Sequence, residues 1–383
     1  MQLDFHYYAT YCAAFLSGYS HEESIRIAYC AQFVDNCSRR YLARIKGPRS
    51  AASTQTQIEL ADAPANLIGL QDIVRIWAPF HFLPYDLYAP VKGVRSYKNK
   101  YRLICRPNGA LVKDTVELAK GRSLEAAGVA MHVLADTWAH SYFAGVPSLV
   151  INNTNDYFYE ILPGGDRKVN FRSSVSKPDD PEKGDYTGSL FQPNENSIMN
   201  LGHGRAGHFP DYSYARYKYM PAWADYDEIV KDNPSDYMHA FRQMVYAMKY
   251  LRGEHDTFTL STYDTETVSE HEEELMSIIT KRQTLASNDW KAFGEKLSGR
   301  EIPDFDVNAF ADEYMAAAKD DKDETVFGRF ILAVLAQKSM VVGKIFSSGN
   351  LLAGFSVDYS KKGFRGIQDF AALIEARMEE MKK

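Results

Sequence analysis

The stretch SLEAAGVAMHVLADTWAHSYFAG, Ser123–Gly145, places His132, Asp136 and His140 at four-residue intervals. In an α-helix that spacing aligns the three side chains on one face, with neighbours about 6 Å apart along the axis and able to share an ion. His132 and His140 are separated by about 12 Å of rise, too far for both imidazoles to reach one ion at a Zn–N distance of about 2.0–2.1 Å, so the run predicts two ions. Ser123 is a suitable N-cap, Glu125 puts an acid in the first turn, and Gly145 with Pro147 marks the stop. Leu124, Val129, Met131, Val133, Leu134 and Trp138 point all round, as a buried helix requires. A buried carboxylate and imidazoles need partners. Hydrogen bonds in a core would account for a single histidine, whereas three ligand-type residues at one helical spacing point to metal.

The chain has 383 residues, 45% hydrophobic and 25% charged, the make-up of a folded globular protein with room for a large core. A net charge of -6 gives no general attraction for nucleic acid or anionic membranes. Cys12, Cys30, Cys37 and Cys105 form no CxxC pair, so reduced core thiols are expected in place of a zinc ribbon or a disulfide scaffold. The opening MQLDFHYYATYCAAFLSGYS carries Asp4 and His6 where a secretory signal has a basic region and a longer apolar stretch, and nowhere do 18 apolar residues run together. The expectation is a cytoplasmic protein with no transmembrane segment.

Residues 8–46 read as two helices, the second starting near Ser20, where S-H-E-E puts acids in the first turn. An apolar run over 67–83 follows, then an irregular stretch over 91–109 and a weaker helical run over 110–120. From 147 to 235 Gly, Pro, Asn and Asp accumulate, which predicts a loop-rich region of the kind that carries binding residues. Helical spacing resumes at Ser235–Gly253 and over 267–285, 308–346 with breaks, and 366–382. The fold class is therefore all-α: a multi-helix bundle with a long loop-rich insertion. A metal-site domain is expected over 1–255, with a C-terminal helical extension over 256–383 packed on it.

Further ligand-type residues fall outside the helix. DFH sets Asp4 and His6 on one side of an extended segment, a compact chelating pair. Asp35 follows AQFV in a helix and is either a ligand or a partner of Arg39; His81, in APFHFLPYD, is a ligand or a core histidine. LGHGRAGHFPDYS offers His203, His208 and Asp211, with Gly202, Gly204 and Gly207 permitting close approach to ions and Arg205 suited to an anionic group. Nitrogen and carboxylate donors without thiolate suit zinc best, with manganese or iron as alternatives. Residues 209–226 interleave aromatics with Arg216 and Lys218, either for stacking on a ligand or for packing under a long loop.

The H-x-x-x-D-x-x-x-H helix, the DFH opening, an aspartate late in an early helix and a later histidine-bearing loop together resemble the zinc-dependent phospholipase C and P1 nuclease superfamily, over roughly residues 4–211. DFHYYATYCAA and LGHGRAGH also resemble a bacterial family of unknown function. The superfamily resemblance implies a mostly helical fold of that type and a three-zinc cluster hydrolysing phosphate esters. It also implies that His132 and Asp136 hold one ion with His81, that His140 binds another with His203 or His208, that Asp35 bridges, and that His6 serves a third ion. Asp211 would supply the remaining carboxylate. Superfamily members use the amino group and carbonyl of a processed N-terminal residue; this chain has five residues before His6, and Asp4 is expected in that place. They also place an acid four residues after the last histidine, where this chain has Gly207 or Tyr212.

The expected function is hydrolysis of phosphate esters, phosphodiesterase, phospholipase C-like or nuclease-like, with two or three zinc ions, a small-molecule or phosphate-ester substrate, and catalytic roles for Asp35 and Arg205. The competing class is a non-catalytic helical protein whose metals staple its loops. An HD-type phosphohydrolase centred on His255 and Asp256 lacks spaced ligands nearby.

Overall fold

The computed structural model describes residues 1–47, 55–57, 67–91, 95–154, 156–173, 176–188 and 194–353. At its centre is the ligand helix, Leu124–Ala139, capped by the Ser123 hydroxyl, which accepts from the Ala126 N–H. Every residue from Glu125 to Ala139 is buried. The helix ends at His140, short of Gly145. Tyr142 takes a left-handed backbone (φ 78), its N–H donates to the Cys105 carbonyl at 2.8 Å, and the Cys105 N–H donates to Phe143 at 2.7 Å, so the chain leaves the helix for a bridge.

Helices His21–Phe33, Leu67–Phe80, Ala110–Ala119, Asn233–Arg252 and Val326–Ser347 all pack on the ligand helix. The first crosses at backbone contact, because a Cβ at Gly128 would stand 2.5 Å from the Ile27 carbonyl oxygen. One hydrophobic cluster extends from Met1 to Ala353 and includes the C-terminal helices. Val326–Ser347 is the one described helix long and apolar enough to cross a membrane. It is packed in this core, with the Gln337 amide donating to the Pro79 carbonyl at 3.1 Å and to Thr115 Oγ1 at 3.0 Å.

The N-terminal region is more broken than its hydrophobic spacing suggests. Asp4–Ala9 is a π-helical turn, not an extended segment, and continues into Thr10–Leu16. His21–Phe33 starts with a reciprocal capping box between Ser20 and Glu23. It ends before Asp35, which sits in a turn, and Ser38 caps a separate helix, Arg39–Arg44. A further helix, Arg95–Tyr101, occupies part of the stretch expected to be irregular. Toward the C-terminus the expected 267–285 helix is two short ones, Glu266–Ser269 and Glu272–Thr280, followed by Ser287–Ser298. The expected 366–382 helix lies outside the described residues.

The 147–235 region corrects the all-α expectation: the protein is mostly helical with small sheets. Strands β1 (Phe158–Glu160), β2 (Arg167–Lys168), β3 (Asn170–Arg172), β4 (Asp185–Thr187), β5 (Arg216–Tyr219) and β6 (Ile229–Asp232) form an antiparallel sheet ordered β2-β1-β5-β6 and a parallel pair β3-β4. Strands this short carry too few residues to display a period of two. The aromatic run of 209–226 largely fills a second hydrophobic cluster. Phe209, Tyr217 and Tyr219 are buried in it, Arg216 pairs with Asp232 at 3.1 Å, and Lys218 pairs with Asp166 at 2.7 Å. Buried Glu160 clamps this region to the C-terminal part, holding Arg167 and Arg282 at 2.6 Å each. All four cysteines are free and buried.

Candidate metal centre

Three groups of side chains converge around the ligand helix. In the first, His132 Nε2, His81 Nδ1 and Asp136 Oδ2 form a triangle with sides of 3.2, 3.3 and 3.4 Å. A tetrahedral shell with ligands at about 2.0–2.1 Å has edges of about 3.3 Å, so this triangle has the size of one face of a zinc site. In the second, His140 Nε2 and His203 Nε2 lie 3.0 and 3.7 Å from Asp211 Oδ1. The third joins His6, Asp35 and His132: the two imidazoles stack with centroids 3.9 Å apart, and Asp35 Oδ2 is 4.0 Å from His6 Nε2. Asp136 ties the groups together, because its Oδ1 stands 3.1 Å from His6 Nε2.

The outward nitrogens of three histidines are already committed. His81 Nε2–H donates to the Thr56 carbonyl at 2.9 Å, His140 Nδ1–H to the His81 carbonyl at 2.6 Å, and His203 Nδ1–H to the Gly207 carbonyl at 2.7 Å. A carbonyl accepts only, so each of these nitrogens carries the proton and the other turns a lone pair into the cluster. His6 Nδ1 and Nε2, His132 Nδ1, His203 Nε2 and Asp136 Oδ2 are buried without a hydrogen-bond partner. Bare polar atoms in a core are costly; a neutral imidazole has one lone pair, so a cation fits one nitrogen of each of these histidines and the Asp136 oxygen.

Burial pushes His6 and His132 down to about 4 and His203 to about 3, so these imidazoles are neutral near pH 7, the form that ligates. Burial by itself would raise the Asp136 and Asp211 carboxyls. The facing histidines and the terminal ammonium outweigh it and hold both well below the usual carboxylate range.

Met1 supplies a group that the sequence reading places elsewhere. Its α-amino nitrogen lies 2.6 Å from Asp136 Oδ1, 3.1 Å from His140 Nε2 and 3.3 Å from Asp211 Oδ1. Burial opposes its charge, but the two carboxylates raise its pKa to about 11. Asp4 does not stand in for it. Its oxygens accept from the Phe5 and Ala286 N–H groups, each at 2.9 Å, so it anchors the first turn to the C-terminal half. The coil that starts at Gln2, whose carbonyl accepts from Phe5 and His6, carries the terminal amine and the His6 imidazole to the same oxygen of Asp136.

The glycine loop delivers part of what it offers. His203 and Asp211 enter the second group, whereas the His208 side chain is 74% exposed and touches Asp211 Oδ2 at 3.2 Å from outside. Arg205 lies half-buried in the short turn Gly204–Ala206. Gly204 (φ +61) and Gly207 (φ +55) serve approach to neighbouring backbone, not to ions: a Cβ there would lie 1.4 Å from the Asn152 carbonyl oxygen and 2.2 Å from that of Thr187. Asn152, fully buried, locks the two segments by accepting from the Ala144 N–H at 3.0 Å and donating to Val146 and Asn200, each at 2.9 Å. His208→Ala should therefore leave the number of bound ions unchanged and weaken affinity by about 10- to 100-fold, as loss of an orienting partner does. His203→Ala should remove an equivalent. Zinc titration followed by elemental analysis distinguishes the two, and loss of an ion from His208→Ala would return it to the ligand set.

Residues 1–345 match the profile of a family described as "Family of unknown function (DUF6765)". Comparison with curated proteins and with solved structures gave no match.

Proposed function

We propose that this chain, which belongs to the DUF6765 family, is a metal-dependent hydrolase of phosphate esters working with two or three zinc ions. The observation that carries the reading is the set of converging His and Asp atoms, spaced for a metal shell, among which His6, His203 Nε2 and Asp136 Oδ2 have no hydrogen-bond partner. In this reading His81, His132 and Asp136 hold one ion, and His140, His203 and Asp211 hold a second. His6 and Asp35 serve a third. Zinc bound there would lower the pKa of a shared water and offset charge on the phosphoryl oxygens. Manganese or iron fits the same donors.

Asp35 reaches toward two groups, with Oδ1 3.7 Å from His81 Nδ1 and Oδ2 4.0 Å from His6 Nε2. Its side chain is 26% exposed, more than any other member of the three groups, so it is the carboxylate that meets solvent and, in this reading, bridges ions and orients the attacking water. Arg205, on the turn that follows His203, is assigned a phosphate oxygen of the substrate. A purely structural staple closes its shell; solvent contact at Asp35 favours catalysis over that reading. The test is a panel of phosphomonoesters, nucleic acids, phospholipids and bis-p-nitrophenyl phosphate. Turnover that chelator abolishes and zinc or manganese restores is expected. Absence of turnover across the panel with metal demonstrably bound would leave the stapled reading.

A further inference from the structure

The segments that leave His81 and His140 build a second feature. Tyr85 and Tyr142 flank Arg106, whose guanidinium carbon lies 5.7 and 4.7 Å from their ring centroids. Tyr142 in turn stacks on Trp223 at 6.3 Å and 18°. Two adjoining recesses, of about 540 and 470 Å³, share Tyr85 and Arg106 as walls; Trp138, Ser141 and Lys231 line the first, and Tyr101, Ile104 and Trp223 the second. These are volumes typical of small-molecule sites.

The charges around the recess point to one kind of ligand. Lys231 spends its three donors on the Trp138 carbonyl (2.9 Å), Ser141 Oγ (2.6 Å) and Asp236, and Asp232 is paired with Arg216. Arg106 is exposed and has no acidic partner among the described residues. Both tyrosine rings lie within cation–π reach of its guanidinium carbon, and its N–H groups are left for an anion. Asp86 and Asp225 line the second recess, and the paired Asp232 and Asp236 the first, so a polyanion is disfavoured and only a single negative charge suits the Arg106 edge. Two lining residues, Tyr142 (φ 78) and Asp225 (φ 55), take left-handed backbone. Such conformations cost L-residues energy and concentrate at binding sites.

We infer that this recess binds a small monoanion carried on a flat aromatic body, with Arg106 gripping the anion and Tyr85, Tyr142 and Trp223 holding the ring. The site is independent of the metal reading, since none of these residues belongs to the three groups.

The probe is 4-nitrobenzenesulfonate, whose nitro ring quenches indole emission on contact; Trp138 lines the first of the adjoining recesses and Trp223 the second. Saturable quenching is expected in the wild type. Arg106→Gln should raise the Kd by about 10- to 100-fold, the range for a hydrogen bond to a charged group, with Arg106→Lys less impaired. Tyr142→Gly, which suits the left-handed backbone and so folds, should weaken binding through loss of the ring. Benzoate, a monoanion on a flat ring, should displace the probe, and doubly charged phenylphosphonate at pH 8 should do so more weakly. Zinc content of Arg106→Gln should equal that of the wild type, which separates failure here from failure of the metal reading. Equal affinity in Arg106→Gln, no saturation in the wild type, or displacement by neither competitor would overturn the assignment.

Discussion

Asp136→Ala should strip the centre of metal at the His81–His132 group, abolish phosphate-ester hydrolysis and lower folding stability. Both oxygens of this carboxylate face the cluster: Oδ1 the Met1 amine and His6, Oδ2 His81 and His132, all within 3.4 Å. Its removal leaves the terminal ammonium buried beside only Asp211, and breaking a buried charge pair costs about 3–5 kcal/mol. Loss of the ion removes the further stabilisation that ligand binding gives the native state. Asp136→Asn keeps the shape and removes the charge, so it should lose metal as well. Urea unfolding combined with elemental analysis checks both effects. Unchanged metal content in Asp136→Ala would take this residue out of the ligand set.

Gly204→Ala should have an effect of similar size by a different route. The added methyl would need the space of the Asn152 carbonyl, at 1.4 Å, and would sit on a backbone with φ +61. A clash with backbone is not relieved by a rotamer change, so the loop must shift, at a cost of about 2–4 kcal/mol. The loop carries His203 and Asp211, whereas His81, His132 and Asp136 stand on other elements. The variant should therefore lose one equivalent of metal and keep another, with a lower Tm. Loss of every ion, or of none, would show that the two groups are not built separately.

The ligand helix was legible because capping, burial and a four-residue spacing all act within one element: Ser123 caps it, and its ligand face is read directly from position. Its end was not, because the stop is set by the bridge between the Tyr142–Phe143 turn and Cys105, a contact distant in sequence. Asp4 shows the same limit. A carboxylate beside a histidine has the composition of a chelating pair, yet its oxygens are taken by N–H groups of Phe5 and of Ala286, 282 residues away. His208 and His203 are equivalent as letters, and only the seating of the loop on Asn152 and Thr187 decides which faces inward. The small sheets were hidden because strands of two to four residues draw their order from pairing rather than from periodicity.

The central claim is that the converging His and Asp groups are built to hold metal ions, more than one per chain. Elemental analysis of the protein purified without a histidine tag and reconstituted with zinc tests it most directly. At least two equivalents per chain are predicted, and less than one equivalent would contradict it.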